Sequence, residues 1–494
     1  MNLLIGRLAL LIMTAVALAG CARVANGPLT LARTPANVSA DNAKVCDAFA
    51  FGAVADGHAK DTVALQKAID TCSAAGGGVV LLSRGTFLSG TITLHSHMTL
   101  RIATGATLLG SRDDEDYPTQ HPPTVNTQLS ECQRALIYAE GADHVRIDGG
   151  GTIDGNADID KWRGMSRPER QRPMAIFTTL STNVAIEDVT VRNAATWAVV
   201  NLEVEHLVIR GIAIDSPLGP THDGIDVVDG RDVLIENVTV TAGDDGICLK
   251  SGSRKGLQDV TVRHARILGA GVANGLKLGT ATVGAMRHIL FEDVSIANAQ
   301  AAAMAVESVD GAEVSDVTFR RITAHDVGTP FFVLLGARGK APVGAIHDIR
   351  FETIRGDQLR YPWGSLLSGL PADATGEHDL KGITFKDIAI TYAGVGAATG
   401  PRVFGSDDSE MARFPYYAGG YPDPKFIFAT PTAKYEAIDY ALPGWAFFVR
   451  HARGVRFEDC RIALNGDDRR SALAVKDAEI GGSCEAVSSK AAAE

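Results

Sequence analysis

The chain has 494 residues, with 47 Lys and Arg against 58 Asp and Glu, giving a net charge of -11. It has no Lys/Arg-rich run, which argues against nucleic acid as a main partner because phosphate binding needs a basic face; the acidity reads as plain solubility. Aromatics are few, whereas Val, Ile and Leu are abundant and regularly placed, so a large aliphatic core is within reach.

The first residues read as a processing signal rather than fold. Arg7 supplies a positive start, Leu8 to Leu18 form an apolar segment too short to span a bilayer, and Leu18-Ala-Gly-Cys21 closes it. That ending resembles a bacterial lipobox, in which the cysteine becomes the lipidated first residue; the other reading is an ordinary secretory signal with a chance cysteine. Either way export is expected, with membrane attachment through lipidated Cys21. Ala22 favours the outer membrane, facing the periplasm or cell surface, by analogy with the enterobacterial sorting rule. Residues 22–43 lack periodicity and read as a flexible tether. The folded domain is expected at 44–485, followed by a disordered tail at 486–494. Six further cysteines permit pairing in an oxidising compartment, with Cys46–Cys72 and Cys460–Cys484 as local candidates and buried free thiols as the alternative. No CxxC pair or His cluster indicates a metal; neither metal nor cofactor is expected.

Asp61 to Cys72 carries apolar residues at helical spacing and stops at Gly76-Gly-Gly78, which predicts one short N-terminal helix. Val79–Leu82, Thr91–Leu94 and Met98–Ile102 read as strands. From there one pattern recurs, apolar at i, i+2, i+5 and often i+7, as in Val184-Ala-Ile-Glu-Asp-Val-Thr-Val191, Val233-Leu-Ile-Glu-Asn-Val-Thr-Val240 and Val455-Arg-Phe-Glu-Asp-Cys460. Before the last copy, its start-to-start distances run from about 23 to 34 residues, the range of solenoids and arrays. Two short strands per repeat joined by Gly/Asn/Asp turns predict an all-β parallel β-helix, a solenoid whose face makes a groove for an extended polymer.

The richest chemistry lies in Pro220-Thr-His-Asp-Gly-Ile-Asp226 and Thr241-Ala-Gly-Asp-Asp-Gly-Ile-Cys-Leu-Lys-Ser251. Neighbouring carboxylates resist ionising together, so one keeps a proton while its partners stay charged, the equipment for cleaving a glycosidic bond. The plainer reading is that Asp-Gly and Asp-Asp-Gly are ordinary turn residues. Aligning coils by their apolar residues puts Asp223, Asp245, Asn274 and Ala302 in one column and Asp226, Cys248, Lys277 and Ala305 in another. Lys250 and Lys277 should then face outward near the carboxylates, as ligands of an acidic sugar or as solvated lysines. Asn274 reads as a turn-ladder asparagine in preference to a catalytic group, and His222 as local packing beside Asp223. Residues 391–450 interrupt the rhythm with Phe414-Pro-Tyr-Tyr417, Tyr421-Pro-Asp-Pro424 and Trp445. This insertion either walls the groove and stacks on sugar rings or packs over the last coils, and Arg450-His451, which close it, are candidate substrate contacts.

At these residues the chain resembles glycoside hydrolase family 28, the polygalacturonases and related pectin hydrolases. Phe51-Gly-Ala-Val-Ala-Asp-Gly57, Ala68-Ile-Asp-Thr-Cys72 and Gly76-Gly-Gly78 look like the family's N-terminal run, and Gly243-Asp-Asp-Gly-Ile-Cys-Leu-Lys-Ser251 is the most specific element. The resemblance implies a right-handed β-helix and metal-independent hydrolysis with inversion of a polysaccharide or oligosaccharide. It further implies Asp244 as general acid, with Asp223 and Asp245 positioning the attacking water. A monomer is expected. Three departures stand out. The family's Asn-Thr-Asp is Thr221-His-Asp223 here, its Gly-His-Gly is Ala273-Asn-Gly275, and its carboxylate-gripping Arg-Ile-Lys falls at Ala305-Val-Glu307. An acidic residue there repels a sugar carboxylate. The expectation is therefore a pectin-related or other plant-wall glycan rather than plain polygalacturonate. The alternatives are a β-helix polysaccharide lyase and a non-catalytic glycan-binding surface protein.

Overall fold

The i, i+2, i+5 rhythm has a simple backbone cause. In a flat strand the inward positions alternate, so a third apolar residue would fall at i+4; here residue i+4 is a corner in the left-handed region, which shifts the inward phase by one. Asp188, Asn237, Asp293, Asp387 and Asp459 occupy this corner with φ between 51° and 55°, and Asn and Asp tolerate that conformation better than other residues with a Cβ. The computed structural model describes residues 44–130, 133–157, 172–219, 221–269, 274–339, 341–359, 364–393, 402–403 and 440–488. Among them, 31 strands form one continuous sheet in which every ladder is parallel and each strand pairs with its counterpart one coil later. The result is a right-handed parallel β-helix.

The N-terminal helix, Thr62–Ala74, buries Leu65, Ala68, Ile69 and Cys72, an i, i+3, i+4, i+7 stripe, against the first strands. Cys72 is bonded to Cys46 and Cys460 to Cys484, so the local pairs are the ones formed and one lies at each end of the coil. Cys248 is a buried free thiol, and Cys132 lies outside the described residues. Inside the coil the i+2 position becomes aromatic in the later repeats. Phe291, Phe319, Phe351, Phe385 and Phe457 stack on successive rungs with centroids 4.7 to 5.1 Å apart, so each large ring is buried against its own kind.

That stack shows where the interruption goes. Phe385 is the rung neighbour of Phe457, so the chain leaves the coil after Leu380–Ala393, returns by Gly444–Asn465 and resumes on the very next rung. The expected bounds of 391–450 are therefore too wide. Trp445, Arg450 and His451 belong to a coil strand, and Trp445 packs edge-on against Tyr392 in the core rather than facing a sugar. Phe414, Tyr417 and Tyr421 lie outside the described residues, as do Cys21 and the tether at 22–43. Leu442, on the returning limb, packs on an apolar patch formed by Ala305, Phe332, Leu366 and Phe448 on the coil's outer face. At the C-terminus the last strand, Ser471–Ser488, overruns the expected boundary at 485, because Ala486, Val487 and Ser488 still pair with Ile462, Ala463 and Leu464.

Candidate active site

Three consecutive rungs carry the same local device. Asp223, Asp245 and Asn274 each precede a glycine, and Gly224 N–H donates to Asp245 O while Gly246 N–H donates to Asn274 O. A Cβ on Gly224 would lie 2.5 Å from the Gly246 carbonyl, and one on Gly246 would lie 2.7 Å from that of Gly275. The glycines are thus required by the close approach of rungs, which accounts for half of each Asp-Gly signal without accounting for the carboxylates. The registers Asp226 to Cys248, Cys248 to Lys277 and Lys277 to Ala305 make the second expected column real. Its members face outward, since the alternating residues Ile225, Val227, Ile247 and Leu249 line the interior core.

The aspartates gather on this outer face. Oxygen atoms of Asp223 and Asp245 lie within 4.8 Å of one another. Asp245 Oδ1 accepts from the Asn274 side-chain amide at 2.7 Å and from its backbone N–H at 3.2 Å, and Asp245 Oδ2 is 3.1 Å from Lys277 Nζ. The Asn274 amide orientation follows from its other contact, in which Oδ1 accepts the Ala302 N–H at 3.0 Å. Asn274 is thus the turn-ladder residue expected, and it also holds Asp245. Asp244 Oδ2 accepts the Thr221 N–H at 2.9 Å, and its own N–H donates to His222 O at 3.2 Å. His222 is buried with Nδ1 donating to Gly219 O at 3.0 Å, a tautomer assigned from that carbonyl partner.

Lys250 and Lys277 are not solvated; each is 5% exposed or less. Lys250 Nζ sits 2.9 Å from Asp223 Oδ2, contacts Asp226 Oδ1, and lies 4.0 Å over the ring of Trp197. Burial acts to lower the Lys250 pKa but is outweighed by the charges of Asp223 and Asp226, so it stays an ammonium well above its ordinary range. Burial, with Asp223 and Asp245 nearby, pushes the Asp226 carboxyl well above its ordinary value despite Lys250. Burial likewise pushes the Cys248 thiol up, so it remains S–H and donates to Gly279 O at 3.1 Å.

The Asp226 shift has a measurable sign. Its folded value is raised above the ordinary 3.8, so its contribution to stability is fully present below 3.8 and is lost as pH rises toward the folded value. Asp226→Asn removes that dependence. The melting temperature of the variant is expected to gain on the wild type as pH is raised from about 4 to about 8; a difference flat across that range would contradict the assignment.

Arg450 and His451 are not brought to the aspartates. Counting rungs from Cys248 through Lys277, Ala305, Phe332 and Leu366 to Phe448 gives five steps, roughly 24 Å at about 4.8 Å each. There Arg450 is fully buried and His451 Nδ1 pairs with Asp477 at 3.0 Å. Two residues near the site escaped the sequence reading. Trp197 stands one rung before Asp223 in the same column, as the Ala198 N–H to Asp223 O bond shows, and extending the column back by one coil finds it. Arg172 donates to the Ala195 carbonyl at 3.3 Å and to the Thr221 hydroxyl; it follows a stretch with no repeat pattern, so no sequence signal marks it. A wall beside the site is formed by residues 124–130. Asn126 Nδ2 donates to Asp229 at 2.7 Å and to Glu203 at 3.2 Å, and Thr127 N–H donates to Gly252 O at 2.8 Å.

Comparison with known proteins agrees with this geometry. A protein named "Probable polygalacturonase" from Vitis vinifera is 26% identical over 368 residues, spanning 69% of this chain and 73% of that one. Among solved structures, a family 28 exopolygalacturonase of Yersinia enterocolitica superposes with a TM-score of 0.65 at 19% identity, over 90% of this chain and 79% of that one. A hyperthermoactive exopolygalacturonase from Thermotoga maritima does so with a TM-score of 0.62 at 22% identity, over 74% and 89%. At those identities the superpositions establish the β-helix alone. Residues 72–400 match the family profile described as "Glycosyl hydrolases family 28". The chain therefore belongs to glycosyl hydrolase family 28, enzymes that break glycosidic bonds.

Proposed function

We propose that the protein hydrolyses a glycosidic bond in a pectin-related plant-wall polysaccharide, with inversion at the anomeric carbon. Asp244 serves as the general acid that protonates the leaving oxygen, and Asp223 with Asp245 orients and activates the water. The observation that carries this reading is the approach of Asp223 and Asp245 oxygen atoms to within 4.8 Å on adjacent rungs, with Asp244 next in the chain and its carboxyl on the Thr221 N–H. Lys250 Nζ stands 2.9 Å from Asp223 Oδ2 and Lys277 Nζ 3.1 Å from Asp245 Oδ2, so each of these two side chains is fixed by an ammonium group. Asp244 Oδ2 accepts the Thr221 N–H at 2.9 Å, two residues from Asp223.

The test is hydrolysis of purified pectic fractions, read by reducing ends and by proton NMR of the first-formed anomer. Inverted configuration at the new reducing end is expected. Retained configuration, or unsaturated products absorbing in the ultraviolet, would sink the mechanism.

We further propose that the chain is an exported lipoprotein, held at the outer membrane through Cys21 and the tether at 22–43. The lipobox-like Leu18-Ala-Gly-Cys21 supports this, and the two disulfides suit an oxidising compartment. Cys21→Ser is expected to shift the protein from the membrane pellet to the soluble fraction and to abolish palmitate labelling; a pelleted, labelled variant would refute the anchor.

A further inference from the structure

A second ladder of left-handed corners runs along one edge of the coil, with His97, His144, Asn183, His206 and Asp232 on successive rungs at φ between 54° and 61°. Asn and Asp suit that conformation. Further along the ladder each histidine faces a carboxylate of a neighbouring rung, His206 Nδ1 at 2.7 Å from Asp232 Oδ2 and His288 Nδ1 at 3.0 Å from Asp259 Oδ1. At the N-terminal end this alternation breaks. Histidine stands on histidine there, with the ring centroids of His97 and His144 5.4 Å apart. The carboxylate beside them is Asp143, whose Oδ1 accepts from Thr182 Oγ1 and Asn183 Nδ2, both at 2.7 Å. Its Oδ2 lies 2.8 Å from His144 Nδ1, yet that buried nitrogen makes no well-directed hydrogen bond. Ligand atoms of His97, Asp143 and His144 all fall within 4.8 Å of one another. The backbone fixes both corners, because His97 N–H donates to Asp143 O at 2.7 Å and Asp143 N–H to Ser96 Oγ at 3.0 Å. Among the described residues no Lys or Arg pairs with Asp143. The two other gatherings of potential ligands already hold cations, Lys250 and Lys277 on Asp223 and Asp245, and Arg453 on Asp379 and Asp477. His97 is exposed and borders a shallow depression shared with Gly76, His95, Ser96 and Glu140, so an ion reaches it from solvent.

We propose that His97, Asp143 and His144 form a surface site for one divalent transition-metal ion of the zinc class, which clips two adjacent rungs together near the N-terminal end of the coil. Two imidazoles and a carboxylate suit Zn²⁺, Cu²⁺ or Ni²⁺, whereas Mg²⁺ and Ca²⁺ prefer oxygen alone. Tetrahedral bonds of about 2.0 to 2.1 Å set ligand atoms roughly 3.3 Å apart. The pair at 2.8 Å therefore opens slightly and the His97 ring closes in, while any proton held by these groups passes to solvent as the ion binds. The fourth position faces the depression and takes water. The two histidines are far apart in the chain, so no local spacing marks the site in the sequence. It is separate from the hydrolytic centre: Asp232, which shares a coil with Asp226, stands three rungs beyond His144, roughly 14 Å along the axis at about 4.8 Å each. The ion is thus a structural clip and takes no part in bond cleavage.

The full chain, stripped with a chelator, is titrated with ZnCl₂ by calorimetry and with CoCl₂ by visible absorption. One ion per chain is expected, with a Kd on the order of 1 μM or tighter, and with the intense visible bands of tetrahedral Co²⁺. Zn²⁺ is expected to raise the melting temperature of the wild type, since it binds the folded chain. His97→Gln is expected to weaken binding at least about tenfold, because even the outer-shell partners of a metal are worth that much, and to lose the thermal shift. The stripped variant should melt with the stripped wild type, as His97 is exposed. His206→Gln, two rungs beyond His144 and paired with Asp232, should bind as the wild type does. No stoichiometric binding at about 100 μM Zn²⁺, undiminished binding by His97→Gln, or an equal loss in His206→Gln would each overturn the proposal.

Discussion

Asp244→Asn is expected to lower kcat on a cleavable pectic substrate by roughly 10²- to 10⁴-fold, the usual contribution of a general acid, while leaving the fold intact. The argument for the size of the effect is chemical. Asparagine keeps the shape of the side chain and an oxygen able to accept the Thr221 N–H, so the hydrogen bond at 2.9 Å survives. What disappears is the proton that the leaving oxygen must receive. The argument for an intact fold is that Asp244 lies in the turn between strands Thr239–Ala242 and Ile247–Ser251, its backbone N–H donating to His222 O, and that asparagine changes neither its size nor that bond. The measurement pairs steady-state kinetics with thermal unfolding. A fall in kcat with KM little changed and the melting temperature held supports the role, since the lost interaction is one made at the transition state. A substrate whose leaving group needs no protonation, such as an activated aryl glycoside, should recover much of the rate. A fully active Asp244→Asn protein would end the assignment.

Much of this site was legible in the sequence because a solenoid converts spacing into proximity. Once residues at i, i+2 and i+5 are recognised as inward, the outward residues of successive repeats must stack. Asp223, Asp245 and Asn274 could therefore be aligned before any coordinates were known, and the observed registers reproduce that column. Legibility failed where the physics is not periodic. Arg450 and His451 looked like closing residues of an insertion because the sequence gap of 391–450 hides that Phe385 and Phe457 are adjacent rungs. Lys250 and Lys277 could be placed on the outer face but not weighed, because whether an outward lysine is solvated or buried between carboxylates depends on what covers that face. Glu307 reads in the sequence as a charge that repels a sugar carboxylate, whereas in the structure its side chain is fully buried with Oε1 3.7 Å from Lys277 Nζ. The stacked phenylalanines lay in plain view as the i+2 residue of five repeats, yet their ring-on-ring geometry follows only from the one-rung translation.

The largest stability effect is expected from Lys250→Met, which removes a buried cation and leaves its two carboxylate partners in place. Breaking a buried ion pair from one side costs about 3–5 kcal/mol, because the remaining charge has neither solvent nor partner. Here Lys250 Nζ lies 2.9 Å from Asp223 Oδ2 and also contacts Asp226 Oδ1, and the Asp226 side chain has no measurable exposure. Methionine fills similar space and keeps contact with the Trp197 ring, so loss of packing contributes little. The cost therefore has a signature that a cavity does not. It shrinks at low pH, where protons neutralise the uncompensated carboxyl groups, and grows toward neutrality. It is also repaired in part by a second substitution. Adding Asp226→Asn to Lys250→Met removes a buried carboxyl that burial holds well above its ordinary value and that ionises only at a cost to stability once the ammonium is gone, so the double variant should be more stable than Lys250→Met alone toward neutral pH, and the coupling energy from the cycle there should be well above the few tenths of a kcal/mol seen for independent sites. Activity should not return with stability, because Asp223 still lacks the ammonium that holds its side chain in place at 2.9 Å. Urea unfolding of the four proteins at two pH values decides the matter: a penalty that is the same at both, or a cycle that closes additively, would mean that Lys250 acts as bulk rather than as charge.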